Sequence, residues 1–140
     1  MNLWLQLEQA GLGDSRPLAE VLDAIPWNAD GLIAAIAQQH DTGEVLMLAW
    51  MNRAALEETL ASSQVCYWSR SRQQFWRKGE TSGHRQQLIE ARLDCDGDAL
   101  LLLVEQHGAA CHTGRRSCFY NAIRDARVSV ISVPQSSVCY

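Results

Sequence analysis

Residues 94–118 read DCDGDALLLLVEQHGAACHTGRRSC. Three carboxylates, Asp94, Asp96 and Asp98, alternate with Cys95 and Gly97, and Cys111 and Cys118 follow a strongly apolar run. In an extended chain the three carboxylates share one face and Cys95 points to the other. Neighbouring carboxylates then lie about 6–7 Å apart, and each adjacent pair repels by roughly 2 kcal/mol at an intermediate dielectric. A solvated hairpin tip tolerates that repulsion. A hard divalent cation removes it and takes the oxygens as ligands; magnesium, which keeps several waters and bridges to substrate phosphate, suits such a set. An EF-hand is excluded, because the loop is too short and the downstream bidentate Glu is missing.

The thiols point to softer chemistry. Cys95, Cys111 and Cys118 form a candidate zinc set, separate from the carboxylates because Cys95 faces away from them. Three thiolates leave one tetrahedral position. Water there has its pKa drawn toward about 7, which supplies a nucleophile at neutral pH. His112, next to Cys111, offers two alternatives that the spacing leaves open. As a fourth ligand it closes the site and makes it structural; as a free imidazole it moves protons to or from the attacking water. His84 and His107 are weaker candidates for proton transfer, and His40 reads as structural. Cys66, in QVCYWS, reads as a small buried apolar side chain, and Cys139 as a bystander.

A second constellation carries positive charge. The net charge is −4, which argues against general attraction to nucleic acid or an anionic membrane. Yet Arg70, Arg72, Arg77, Lys78 and Arg85 fall within sixteen positions, and Arg115 and Arg116 sit between Cys111 and Cys118. Eleven of the twelve cationic residues are arginine, whose planar fork grips phosphate oxygens in pairs. A small phosphorylated substrate fits that pattern better than a polymer does; a solvated cationic face is the plainer alternative. Arg70, Arg72, Arg77 and Lys78 are the candidate phosphate ligands, with Ser69, Ser71, Thr81, Ser82 and the glycines of KGETSG letting backbone donors approach. Trp76 is a candidate to stack on a base, whereas Trp68, Trp50 and Met51 read as core.

The elements that must position these groups are short. A chain of 140 residues, 47% hydrophobic and 20% charged, suits one globular domain. Its start lacks the basic and long apolar segments of a secretory leader, no run approaches the ~20 apolar residues of a membrane span, and five cysteines is an odd number. A cytoplasmic, reducing setting is expected. Residues 3–10 and 17–25 read as two short helices, forming an N-terminal extension over 1–28 ahead of a domain over 29–140. LIAAIAQQ, HDTG and EVLMLAWM read as a hairpin. Asn52 caps a helix running to about Ser62. QVCYWSRS reads as a strand, QQFWRKGETSGH as a loop, and RQQLIEARLD with ALLLLVEQ as paired strands joined by GDA. HGAACHTGRRS is loop-like, CFYNAI a further short strand, and the tail after Arg127 an edge strand or frayed end. The fold class is β-rich α+β, with connections short enough for antiparallel pairing.

VLMLAWMNRAAL, SRSRQQFWRKGETSG, LDCDGDALLLLVEQ and GAACHTGRRSCFY, in that order, resemble the phosphoribosyl-AMP cyclohydrolase family of histidine biosynthesis over about Gly31 to Tyr120. Ala109 stands where proline is often found, which touches nothing catalytic. The resemblance implies a small barrel-like antiparallel sheet with a helical cap, assembled as an intertwined homodimer. It implies Zn2+ on Cys95, Cys111 and Cys118, drawn from both subunits, and Mg2+ on Asp94, Asp96 and Asp98. It further implies that zinc-activated water attacks carbon 6 of the N1-ribosylated adenine of phosphoribosyl-AMP and opens the ring. His112 is then the candidate catalytic residue, and Arg70, Arg72, Trp76, Arg77, Lys78 and Ser82 the candidate substrate ligands. The tail is too short for the pyrophosphohydrolase domain fused to some relatives, so a single activity is implied. The H-x-E…P-C-x-x-C signature of zinc deaminases is absent. A non-enzymatic, zinc-clamped dimerisation module is the competing reading, disfavoured because a clamp has no use for an arginine-rich loop.

Overall fold

The computed structural model describes residues 2–135. Helices α1 (Leu3–Glu8) and α2 (Leu18–Ala24) precede strands β1 (Leu32–Gln39) and β2 (Val45–Asn52). Helix α3 (Arg53–Ser62) follows directly. Its start is set by Asn52, whose side-chain oxygen accepts from Ala55 N at 2.8 Å, and its end by Ser63 in the left-handed conformation at φ 62°. Next come β3 (Cys66–Ser69), β4 (Gln74–Arg77), β5 (Gln86–Leu93), β6 (Ala99–Gln106), β7 (Asn121–Arg124) and β8 (Arg127–Val130). Among the described residues no helix is long and apolar enough to cross a membrane.

The expected α+β class holds: the chain is strand-rich with few helices. The barrel-like, all-antiparallel sheet does not. Four strands form an open sheet in the order β2-β1-β6-β5, and its central pair, β1 with β6, is parallel. Local hairpins are antiparallel, as short connections require. The β1–β6 pair instead joins segments separated by α3, the β3–β4 hairpin and β5, a span long enough to return the chain in the same direction. The β3–β4 and β7–β8 hairpins form two further two-stranded sheets.

Residue types explain the layers. Strand β6 alternates half-buried and buried along its whole length, burying Leu100, Leu102 and Val104 on one face. Beside them lie Ile33, Ala35 and Ala37 of β1, and the same core takes Leu22 and Ile25 from the N-terminal segment, Ala55 and Leu56 from α3, and Tyr67 from β3. Buried Thr59 ties α3 to β3 by accepting from Cys66 N at 2.9 Å. Cys66 is buried, as its context suggested.

One local expectation fails. The segment QFWR forms β4 rather than part of a loop, because Trp76 faces Tyr67 with ring centroids 5.5 Å apart and Phe75 meets Trp68 edge-on at 5.3 Å. Of the two readings left open for DCDGD, extended run or hairpin tip, the structure has the tip: Gly97 N donates to Asp94 O at 3.2 Å, and Gly97 takes φ +71°.

A buried polar chain crosses the core. The Tyr67 hydroxyl donates to Gln86 Oε1 at 2.7 Å, Gln86 Nε2 donates to Gln106 Oε1 at 2.8 Å, and Gln106 N donates to Gln39 Oε1 at 3.0 Å. Both Tyr67 and Gln86 are fully buried. A Gln86→Leu change keeps the volume but orphans the Tyr67 hydroxyl and the Gln106 carbonyl. It is expected to cost about 2–4 kcal/mol in urea unfolding, whereas an unchanged midpoint would show the chain to be energetically idle.

Candidate active site and metal centres

The acidic turn sits just before β6. Asp94 Oδ1 accepts from Asp98 N at 3.0 Å and Ala99 N at 3.3 Å, so one carboxylate oxygen closes the turn. Oxygens of Asp94, Asp96 and Asp98 all lie within 4.8 Å of one another, and all three residues are exposed. The turn therefore crowds the carboxylates more tightly than an extended strand would. Their titration reflects this. For Asp94, slight desolvation pushes its carboxyl up, but hydrogen bonds from Asp98 and Ala99 outweigh it and the net shift is downward. Asp98 is raised, first by sharing a hydrogen bond with Asp94 and then by Asp96 and desolvation. A group of carboxylates that cannot all hold charge comfortably suits a divalent cation. Cys95 is exposed within this turn, its Sγ 3.9 Å from Asp96 Oδ1.

The other two cysteines lie past the far end of β6. His107 N donates to Arg85 O at 2.9 Å, ending the strand, and the loop then turns at Cys111–Gly114, closed by Gly114 N donating to Cys111 O at 3.0 Å. Cys118 is brought back by its N–H donating to Leu46 O at 2.7 Å. Buried Cys111 and half-buried Cys118 influence each other and hold opposite tendencies. Burial pushes the Cys111 thiol up, but the Thr113 hydroxyl at 3.1 Å, the Thr113 N–H, Cys118 and Arg115 outweigh it, and the thiol is lowered overall. Burial, reinforced by Cys111, pushes Cys118 up to about 12. Of the two thiols, Cys111 is therefore the more readily ionised. His112 is exposed on the same loop.

Several elements converge on this end. Lys78 Nζ donates to Ala110 O at 2.8 Å and lies 5.4 Å from the Trp76 ring centroid. The His84 ring rests against Gly108, where an added Cβ would come within 2.6 Å of Cδ2. Arg116 Nε donates to Glu44 at 2.9 Å and Nη2 to Gln39 Oε1 at 2.8 Å, fastening the loop to the β1–β2 turn. Arg115 Nε donates to Ser132 O at 2.9 Å and its guanidinium lies 4.0 Å from the Tyr120 ring centroid. Both arginines serve as anchors of the cysteine loop. His40 pairs with Glu105 at 3.0 Å, a structural role.

The candidate phosphate ligands divide. Arg70 and Arg72 lie at the exposed tip of the β3–β4 hairpin, where Arg72 N donates to Ser69 Oγ at 3.3 Å. Arg70 is stacked over Trp50 at 4.7 Å, which holds its guanidinium in place. Trp50 is half-buried rather than core, Met51 fully buried, and Trp76 exposed. Arg77 spends its fork on Glu58, with Nη2–Oε1 at 2.8 Å and Nε–Oε2 at 3.1 Å. With Glu58, Lys78, Glu80 and Arg85 it borders an open cleft of about 350 Å³. Ser82 Oγ accepts from His84 N at 3.2 Å and shapes the loop leading to that histidine. Thr113 escaped sequence reading; its only signal is a hydroxyl two residues after a cysteine.

Among the described residues, Cys95 joins no cluster of close ligand atoms with Cys111 and Cys118. The reason is β6 itself, eight residues that span roughly 25 Å between the two groups. Cys139 lies outside the described residues.

The Thr113 contact is testable on metal-free protein. Thr113→Val removes a donor to the Cys111 sulfur, so the Cys111 pKa rises and its thiolate fraction at pH 8 falls. Peptide-resolved alkylation of Cys111 should slow by roughly fivefold, the worth of about 1 kcal/mol of hydrogen bond. An unchanged rate would remove Thr113 from the site.

The family model for phosphoribosyl-AMP cyclohydrolase matches residues 47–120. The chain is 76% identical over 130 residues to phosphoribosyl-AMP cyclohydrolase 2 of Pseudomonas fluorescens, covering 93% of this chain and 88% of that one. It is 62% identical over 133 residues to phosphoribosyl-AMP cyclohydrolase of Alkalilimnicola ehrlichii, covering 95% and 94%. The likeness to that of Chromohalobacter salexigens is 65% over 129 residues, covering 92% and 88%. These alignments are longer than the stretch from Gly31 to Tyr120, so the kinship reaches into the terminal segments. By model match, identity and coverage together, this chain belongs to the phosphoribosyl-AMP cyclohydrolase family.

Proposed function

We propose that this chain hydrolyses phosphoribosyl-AMP, a step of histidine biosynthesis, at a site built from two copies of itself. The observation that carries the reading is the separation of its sulfur ligands: two at one end of β6 and the third at the other. A second copy supplies what one chain cannot. Cys111 and Cys118 of one subunit with Cys95 of its partner would hold zinc, and sulfur donors suit that borderline-soft ion. Asp94, Asp96 and Asp98 would hold magnesium, and their mutual crowding fits a small hard cation. Zinc bound to three sulfurs supplies Lewis acidity, enough to make water a nucleophile at neutral pH.

The chain's own residues do the rest. His112, exposed beside Cys111, takes a proton from the attacking water and returns it to ring nitrogen 1 as the bond to carbon 6 breaks. Arg70 and Arg72 at the hairpin tip bind one substrate phosphate, while Arg77 and Lys78 border the cleft that would receive the second, with Ser82 on the loop that follows them. Trp76 offers an exposed ring for the purine to stack on. An unpartnered apolar surface supports assembly: Ile123, Val128, Val130, Ile131 and Val133, on and after the β7–β8 hairpin, are all exposed. A single soluble domain rarely leaves so many branched apolar side chains in water, and a second copy would cover them.

Subunit sharing makes a quantitative forecast. Cys95→Ala and Cys118→Ala proteins should each fail to turn over phosphoribosyl-AMP. Unfolded together, refolded with metal and assayed by product absorbance, the mixture should recover about a quarter of wild-type activity, because half the dimers are mixed and each has one intact site. Persistent inactivity after mixing would place all three sulfurs in one chain. Separately, His112→Ala should keep its zinc and lose at least ~100-fold in turnover; loss of zinc would make His112 a ligand instead.

A further inference from the structure

The N-terminal segment has a position but no assigned role, and its contact with the acidic turn suggests one. Trp4 of α1 lies with its indole directly on Gly97, the residue between Asp96 and Asp98. A Cβ built at Gly97 would come within 2.5 Å of three indole carbons. Gly97 is buried although its flanking aspartates are exposed, which shows how closely the ring covers the turn. The indole is itself fixed: Trp4 Nε1 donates to Ala24 O at 2.9 Å, and the ring packs on the main core. Ala24 ends α2, whose Leu22 belongs to that core, so the ring is held from both sides of the N-terminal extension.

We infer that Trp4 is a positioning residue for divalent-cation binding. By pressing on Gly97 it holds the turn in the conformation that gathers the three carboxylates against their own repulsion. Without the ring, the turn is free to relax by spreading its charges. The inference rests on reading Asp94, Asp96 and Asp98 as the hard-cation site. It assigns a purpose to a helix that lies outside the matched stretch 47–120. Glycine is required at 97 for two independent reasons, the positive φ and the ring above it.

The test uses full-length, zinc-loaded protein and Mn2+ as probe, with free Mn2+ read by electron paramagnetic resonance. Wild type should bind and Asp96→Asn should not; failure of either result overturns the cation-site reading, and the inference with it. Given that control, Trp4→Ala should weaken Mn2+ binding by roughly ten- to hundredfold, the usual cost of losing an outer support of a metal ligand set. Trp4→Phe, which keeps an aromatic plane, should recover most of that loss at unchanged zinc content. Terbium adds a signature of proximity, since a hard lanthanide seeks the same oxygens. Its Trp-sensitised emission should be strong in wild type and largely lost in Trp4→Phe while binding persists. Mn2+ affinity equal to wild type in Trp4→Ala, or terbium emission undiminished in Trp4→Phe, would overturn the inference.

Discussion

The parallel pairing of β6 with β1 governs the rest of this structure. It places Ala34 opposite Ala99 and Gln39 opposite Val104, fixing β6 in the middle of the sheet and in one direction. The candidate metal ligands are then attached to one end of β6 or the other. The strand cannot bend enough to bring its ends together, because its ladder bonds to β1 and β5 hold it straight and its buried face is packed with Leu100, Leu102 and Val104. A rigid rod with ligands at both ends is a poor cage for one metal ion. It is a good way to make a site that exists only when two rods lie side by side in opposite senses.

The buried glutamines show how the rod's far end is stiffened. Gln39, Gln86 and Gln106 are all buried, and each is hydrogen-bonded across a different boundary of the fold. Gln39 connects β1 to Gln106 and Arg116, and so to the cysteine loop. Gln106 Nε2 donates to His107 O at 3.1 Å, and Gln86 links the same region to Tyr67 in the β3–β4 hairpin. Apolar residues would fill the space as well, but would leave the His107 carbonyl without its Gln106 donor and Arg116 Nη2 without Gln39. A loop without secondary structure is thereby placed as firmly as a strand.

Much of this was legible in the residues. Asn52 before a run of good helix formers announced α3, and the HDTG turn between apolar runs announced the β1–β2 hairpin, because caps and turns are encoded within a few neighbours. The β1–β6 pairing was not legible, since it is set by burial across some sixty positions that no local pattern reports. Strand β4 was hidden by its flanking Gln74 and Arg77, and only the cross-strand aromatic contacts reveal it. For the site, the ligand types were visible and the geometry was not. DCDGD reads either as an extended run or as a hairpin tip until Gly97 adopts positive φ, and Arg77, which reads as a phosphate ligand, is occupied by Glu58. Charge can be counted in a sequence; its partner cannot.

One consequence ties the two kinds of ligand together. Cys95 stands inside the acidic turn, within 3.9 Å of an Asp96 oxygen. Any partner that carries Cys95 to a Cys111–Cys118 pair must therefore carry the three carboxylates with it. In the proposed assembly the soft site and the hard site, far apart along one chain, would become neighbours. Such an arrangement would suit a substrate with a ring to be attacked and phosphates to be neutralised a short distance away. Along one chain the three carboxylates already stand together, whereas the Cys111–Cys118 pair lies at the other end of β6 from Cys95.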